Sequence, residues 1–249
     1  LGALVVPRLR SAGQLVRVLS RKQQEAADGV EYVIGDLATG EGVDAAVEGV
    51  QIIVHCAGTA KGDEVKTQHL VRAATLAGSP HIVYISVVGA DRVPVISRTD
   101  RAMFGYFKSK LVSEQIIQES GLPWTILRAT QFHEAILKTA KMMAKMPVVM
   151  APSRTRFQPI AAGEVAGRLV ELALGEPAGM VPEMGGPAAY QMKDLIRGYL
   201  RVARRHRPIV SMRMPGNASR AFRDGANLTP NRAVGVRSWE DFLAASVRS

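Results

Sequence analysis

Tyr106 and Lys110 stand four residues apart in the run Tyr106-Phe107-Lys108-Ser109-Lys110. On a helix that spacing puts a phenol and an ammonium on one face, so both can point into a single site. A phenol held that way is a candidate general acid. Ser20-Arg21-Lys22 is a second candidate, because two cations there follow a short apolar run. A guanidinium in that place can grip a phosphate through two charge-assisted hydrogen bonds. Other chemistries lack their residues. Cys56 is the single cysteine, with no internal disulfide partner and no metal-type spacing. It reads as a small core residue rather than a nucleophile. His55, His69, His81 and His206 show no ligand spacing with one another, so no metal is assigned. His133 and Glu134 read as a surface pair at a helix start, where an acid suits the helix dipole.

The elements that must hold these groups follow from the hydrophobic pattern. The chain has 249 residues, 47% hydrophobic and 22% charged, enough for a sizeable core and too apolar for whole-chain disorder. No apolar run approaches the roughly 20 residues that span a bilayer. Runs at 15–19, 30–34, 51–55, 81–86 and 124–128, most of them Val- and Ile-rich, predict buried parallel strands. Helical patterns at 42–47, 63–77 and 106–120 separate them, and Gly78 and Gly121 sit at helix ends. The later half predicts helices at 131–146, 162–174, 192–203 and 238–245 and strands at 148–150 and 209–214. Thr130 is expected to cap the first of those helices. The pattern is that of an α/β fold with a doubly wound parallel sheet and a small C-terminal α/β cap. A helix containing Pro7 precedes the first strand, which predicts a further strand before it, central in the order 3-2-1-4-5-6. About ten additional N-terminal residues would carry that strand and most of a glycine-rich turn, with Gly2 its last glycine.

Several stretches carry a resemblance. Leu1-Gly2, Val5-Val6-Pro7-Arg8-Leu9 and Val16-Arg17-Val18-Leu19-Ser20-Arg21 resemble atypical short-chain dehydrogenase/reductases of the NmrA-like group. Gly35-Asp36-Leu37, His55-Cys56-Ala57-Gly58 and Tyr84-Ile85-Ser86-Val87-Val88-Gly89 continue the likeness in order. Trp124-Thr125-Ile126-Leu127-Arg128, Phe132-His133-Glu134 and Arg156-Phe157-Gln158-Pro159 extend it over nearly the whole chain. The resemblance implies a Rossmann-type dinucleotide-binding core at 1–129 and a substrate cap at 130–249.

Its site residues follow. An NAD-specific site ends its second strand with an acid that bonds the ribose 2′-hydroxyl; Ser20, Arg21 and Lys22 stand there instead, which favours NADP(H). The helix beginning near Gly2 would take the phosphates. Asp36 and Leu37 would flank the adenine, or Asp36 would cap a following helix. Ala57 and Gly58 would let the cofactor approach closely. The resemblance implies that Lys110 bonds the nicotinamide ribose and lowers the Tyr106 pKa, with Tyr106 protonating a carbonyl oxygen as hydride arrives. Ser86 lies near the place where such reductases hold that carbonyl, which spacing alternatively assigns to Val88. Thr130 and Gln131 are placed to touch the nicotinamide amide. Segment 90–105, with Arg98, Asp100 and Arg101, is expected to be a lid or to reshape the pocket. Met142, Met143 and Met146, with Met103 and Met150, would line an apolar substrate pocket or fill the cap core.

The functional expectation is an NADPH-dependent oxidoreductase acting on a small apolar carbonyl, quinone or enone. The alternative is a non-catalytic NAD(P)-sensing protein; nothing in 130–249 points to the sugar-nucleotide pocket of an epimerase. The formal charge of +10 and the cluster Arg197, Arg201, Arg204, Arg205 and Arg207 read as solvated charge. With 5% aromatics, no zinc-finger spacing and no basic tail, neither nucleic acid nor membrane is expected as a partner. A small-molecule substrate, a reduced cytoplasmic setting and a homodimer through helices flanking the sheet complete the reading.

Overall fold

The computed structural model describes residues 1–25, 29–59 and 62–246. The chain opens with α1 (Gly2–Ser11), β1 (Val16–Ser20), β2 (Val30–Ile34), α2 (Val43–Val47), β3 (Ile52–His55) and α3 (Asp63–Leu76). It continues with β4 (His81–Val87), α4 (Arg98–Gln118), β5 (Trp124–Ala129), α5 (His133–Met143), β6 (Val149–Pro152) and β7 (Arg156–Phe157). Then come α6 (Ala162–Ala173), β8 (Gly179–Met180), β9 (Tyr190–Gln191), α7 (Met192–Val202), β10 (Ile209–Met212), α8 (Asn217–Arg223) and α9 (Trp239–Ser246). Two compact units interleave along this chain. The first comprises Leu1–Ser86, Ser109–Leu127 and Ala166–Val181, the second Val87–Lys108, Arg128–Val165 and Pro182–Ser249.

The first unit holds the expected parallel strands. β1 pairs with β2 in parallel from Val16↔Val30 to Ser20↔Ile34. The remaining strands run in the order β3-β4-β5-β8, with β3 parallel to β4 and β5 parallel to β8. All seven residues of β4 are buried, as an apolar strand covered on both faces requires. Ile82, Tyr84, Ile117, Leu122 and Ile126 form one core cluster, and Val43, Val47, Leu70 and Ala73 another. α3 starts on Asp63 and Glu64, acids that complement the partial positive charge of its first turn. It ends before Gly78, whose φ of +96° only glycine adopts without strain.

Two helix boundaries correct the sequence reading. α4 begins at Arg98, so the second half of the expected lid at 90–105 is helix. Ser97 Oγ donates to the Asp100 carboxylate and the Asp100 amide donates back to Ser97 Oγ, a reciprocal cap that fixes the start there. α5 begins at His133 with Phe132 as its cap, so Thr130 does not cap it. The Thr130 hydroxyl donates to the Gln158 carbonyl instead. α1 runs through Pro7 without a break.

In the second unit β6 and β10 pair in parallel and β7 and β9 in antiparallel fashion. α7 presents Met192, Leu195, Ile196, Tyr199 and Leu200 at helical spacing to a core shared with Ile136, Ala140, Trp239 and Phe242. His133 is fully buried there, stacked on Phe242 at 4.9 Å and tilted on Trp239 at 6.0 Å. It is therefore not a surface residue, and the pairing expected with Glu134 does not apply. The methionines also differ from expectation. Met142, Met146, Met150 and Met103 are 43–63% exposed, and Met143 alone packs against the core. Among the described residues no helix is long and apolar enough to cross a membrane.

Candidate active site

The first unit buries a polar network where β3 and β4 meet the start of α3 and the middle of α4. Lys110 is 2% exposed. Its ammonium donates to Tyr84 Oη at 3.1 Å and to the Ile85 carbonyl at 3.2 Å, and pairs with Asp63 Oδ2 at 3.3 Å. It also lies 4.7 Å from the centre of the Tyr84 ring. Asp63 Oδ1 accepts from the Thr59 amide at 2.7 Å, from Thr59 Oγ1 and from Lys66 Nζ. Ser109 Oγ accepts from the Asp63 amide and donates to the Glu64 carboxylate. His55 stacks on Tyr84 at 5.1 Å and shares a hydrogen bond with Thr67 Oγ1.

Burial sets the electrostatics here. It pulls Lys110 below the ordinary lysine range, and the Asp63 carboxylate opposes that shift. Burial, then the Lys110 charge, pushes His55 down to about 3. Burial raises the Cys56 thiol to about 11, against the pull of the Leu1 amino group and Lys110. A Cβ on Gly58 would sit 3.3 Å from both Asp63 Oδ2 and Lys110 Nζ, a tight contact that glycine avoids beside the ion pair.

The other expected residues fall as follows. Ser20 Oγ donates to the Lys22 carbonyl and shapes the turn that leaves Arg21 and Lys22 exposed at the carboxyl end of β1. Asp36 Oδ1 accepts from the Ala38 amide, so it braces its own turn, while the cap of α2 is Gly42. Leu37 packs with Val43, Val47 and Leu70. Ala57 and Gly58 are exposed beyond β3. Ser86 is 4% exposed, and its hydroxyl has no hydrogen-bond partner among the described residues. In the second unit, Tyr106 is 36% exposed and packs edge-on against Phe107. Asp63 and Tyr84, which surround Lys110, were not singled out from the sequence. Only the acids opening the 63–77 helix hinted at Asp63, and nothing local marked Tyr84.

Comparison with known proteins decides the family. Residues 1–156 match the family model described as NAD(P)H-binding. The chain belongs to that family. This NAD(P)H-binding protein is 30% identical over 156 residues to a (4-alkanoyl-5-oxo-2,5-dihydrofuran-3-yl)methyl phosphate reductase of Streptomyces griseus, across 60% of the chain and 51% of that protein. It thus spans about half the length of that curated relative. An NADPH-dependent quinone oxidoreductase of Escherichia coli, solved with NADPH, superposes with a TM-score of 0.80 at 15% identity, covering 98% of this chain and 95% of that one. A triphenylmethane reductase of a Citrobacter species gives 0.76 at 15% identity over 100% and 96%. UDP-glucose 4-epimerase of Thermus thermophilus, solved with NAD, gives 0.69 at 17% over 99% and 95%. Those likenesses show the fold, an α/β Rossmann-type arrangement with a parallel sheet.

The residues present fit a dinucleotide. Arg21 and Lys22 are exposed cations at the end of β1 without an acid, and the orphaned Ser86 hydroxyl lies near the end of β4. Gly2 leaves open space where a side chain would stand at the start of α1.

Burial holds His55, His81 and His133 below the ordinary imidazole range, so the fold is expected to be acid-labile. His133, whose ring nitrogens have no hydrogen-bond partner among the described residues, is pushed down to about 4 by burial and by Arg237, against the pull of Glu164 and Glu240. A group whose folded pKa lies below its unfolded value of 6.5 takes up its proton first in the unfolded chain. Stability should therefore fall as pH drops from 6.5 toward 4, by about 3 kcal/mol from His133. The melting temperature followed against pH checks this, and His133→Phe should flatten the dependence. An unchanged slope in that variant would assign the acid sensitivity elsewhere.

Proposed function

We propose that this protein is an NADPH-dependent oxidoreductase that reduces a small apolar carbonyl, quinone or enone. The observation that carries the reading is the β1 end, where Ser20, Arg21 and Lys22 stand with no acid and both cations face solvent. A reductase as the curated relative and a quinone oxidoreductase among the structural neighbours support it. In this reading the start of α1 at Gly2 and the Arg21-Lys22 pair hold phosphates, and Asp36, Leu37, Ala57 and Gly58 border the adenosine side. Lys110 bonds the nicotinamide ribose, Thr130 borders the nicotinamide, and Ser86 donates its free hydroxyl. Bound NADPH supplies a hydride. Tyr106 delivers the proton to the reduced oxygen or carbon, which completes a two-electron reduction.

A non-catalytic NAD(P) sensor is the second reading, and one observation favours it. The Lys110 ammonium is buried against Tyr84, Ile85 and Asp63 of its own unit. Titrating NADPH and NADH separately and then adding a panel of quinones and enones separates the two. NADPH binding with oxidation on some substrate supports the reductase; tight binding without turnover on any supports the sensor.

A further inference from the structure

The basic charge of this chain is concentrated in one place. Residues 135–163 and 195–223 hold thirteen of the 32 lysines and arginines and none of the 22 acids, which leaves the rest of the chain net acidic. The β6–β10 pairing lays these two segments side by side, with Val210 opposite Met150 and Met212 opposite Pro152. Val149 and Ala151 are fully buried, so alternation along β6 turns Met150 to the other face, beside Val210. Met150, Val210 and Met212 are 43%, 46% and 44% exposed, and Met146 just before β6 is 57% exposed.

Cations rim this apolar strip at both ends. Where the Val149 amide donates to the Pro208 carbonyl, Lys145, Arg205 and Arg207 are exposed. Where the Ser153 amide donates to the Met212 carbonyl, Arg154 and Arg213 are exposed. We propose that this face seats the protein on an anionic lipid bilayer. The methionines and the valine enter the headgroup boundary, and the arginines and lysines meet lipid phosphates around them. A second copy is disfavoured, because two such faces would oppose like charges. Nucleic acid is disfavoured because sequence-tolerant binding stacks bases on aromatic rings, and here Tyr199 is buried while Phe157 and Tyr190 pack against the core. This peripheral docking is independent of whether the protein turns over a substrate.

Co-sedimentation of the full chain with vesicles tests it. Binding is expected to phosphatidylcholine vesicles with about one-third phosphatidylglycerol and not to phosphatidylcholine alone, weakening as salt rises. Arg205→Glu/Arg207→Glu/Arg213→Glu should weaken binding by about 100-fold or more. Met150→Ser/Met212→Ser should also weaken it, and it decides the matter if the charge-reversed chain does not fold. Equal binding to both vesicle types, no binding to either, or variants that bind like the parent would overturn the proposal. Capture of a DNA oligonucleotide but not of anionic vesicles would replace it with nucleic-acid binding.

Discussion

Lys110→Met should destabilise the protein by about 3–5 kcal/mol, the usual cost of breaking a buried ion pair from one side. Methionine is similar to lysine in length and volume, so packing is nearly kept and the loss is electrostatic. The Asp63 carboxylate, on a side chain 1% exposed, would lose the cation 3.3 Å from Oδ2. Thr59 and Lys66 would still hold Oδ1, which places the expected loss nearer the lower figure. Tyr84 Oη and the Ile85 carbonyl would each lose a donor in a site without water access. Urea unfolding reads the change, and Asp63→Asn/Lys110→Met should recover most of it, because the stranded charge is then gone. A single variant within about 0.5 kcal/mol of the parent would show that the pair does not hold the fold.

The same cycle bears on function. If Lys110 also bonds the ribose, the folded double variant should bind NADPH more weakly even though its stability is restored. If its affinity is intact, the ammonium serves the fold alone and the sensor reading gains. Stability and affinity are separate readouts, so failure of one does not mask the other.

The contrast between Arg21 and Lys110 shows what a single chain makes legible. Arg21 could be placed because it follows an apolar run that forms β1, and its neighbours are its sequence neighbours. The parallel strands and the glycines ending helices were readable for the same local reason. Lys110 was recognised by its spacing from Tyr106, but its hydrogen bond to Tyr84, 26 positions away on another element, was not. Asp63 lies still farther along the chain, and no periodicity links the three. The α4 start was readable in principle, since Ser97-x-x-Asp100 is a capping pattern, but the helical hydrophobic pattern becomes clear only later in that helix. His133 failed for a different reason. An acid beside it suited a helix start, while the Trp239 and Phe242 rings that bury it come from the end of the chain.

Arg21→Ala should weaken NADPH binding about 10- to 100-fold and leave NADH binding nearly unchanged. A charge-assisted contact to a phosphate contributes roughly 1.5–3 kcal/mol, and each 1.4 kcal/mol is tenfold in affinity. Arg21 is exposed, so its removal should not disturb the fold. The turn is held by Ser20 Oγ bonding the Lys22 backbone, which the substitution leaves in place. Lys22→Ala should cost less, because an ammonium is a point charge without the guanidinium fork. Arg21→Asp makes the sharper test: its carboxylate would repel a 2′-phosphate and could accept from a free ribose 2′-hydroxyl, reversing the preference toward NADH. Raising salt should erode the NADPH advantage of the parent and leave that of the alanine variant flat, since an exposed phosphate contact is screened. Fluorescence titration with both cofactors measures all of these, and equal weakening of NADPH and NADH would move the 2′-phosphate contact away from the β1 end.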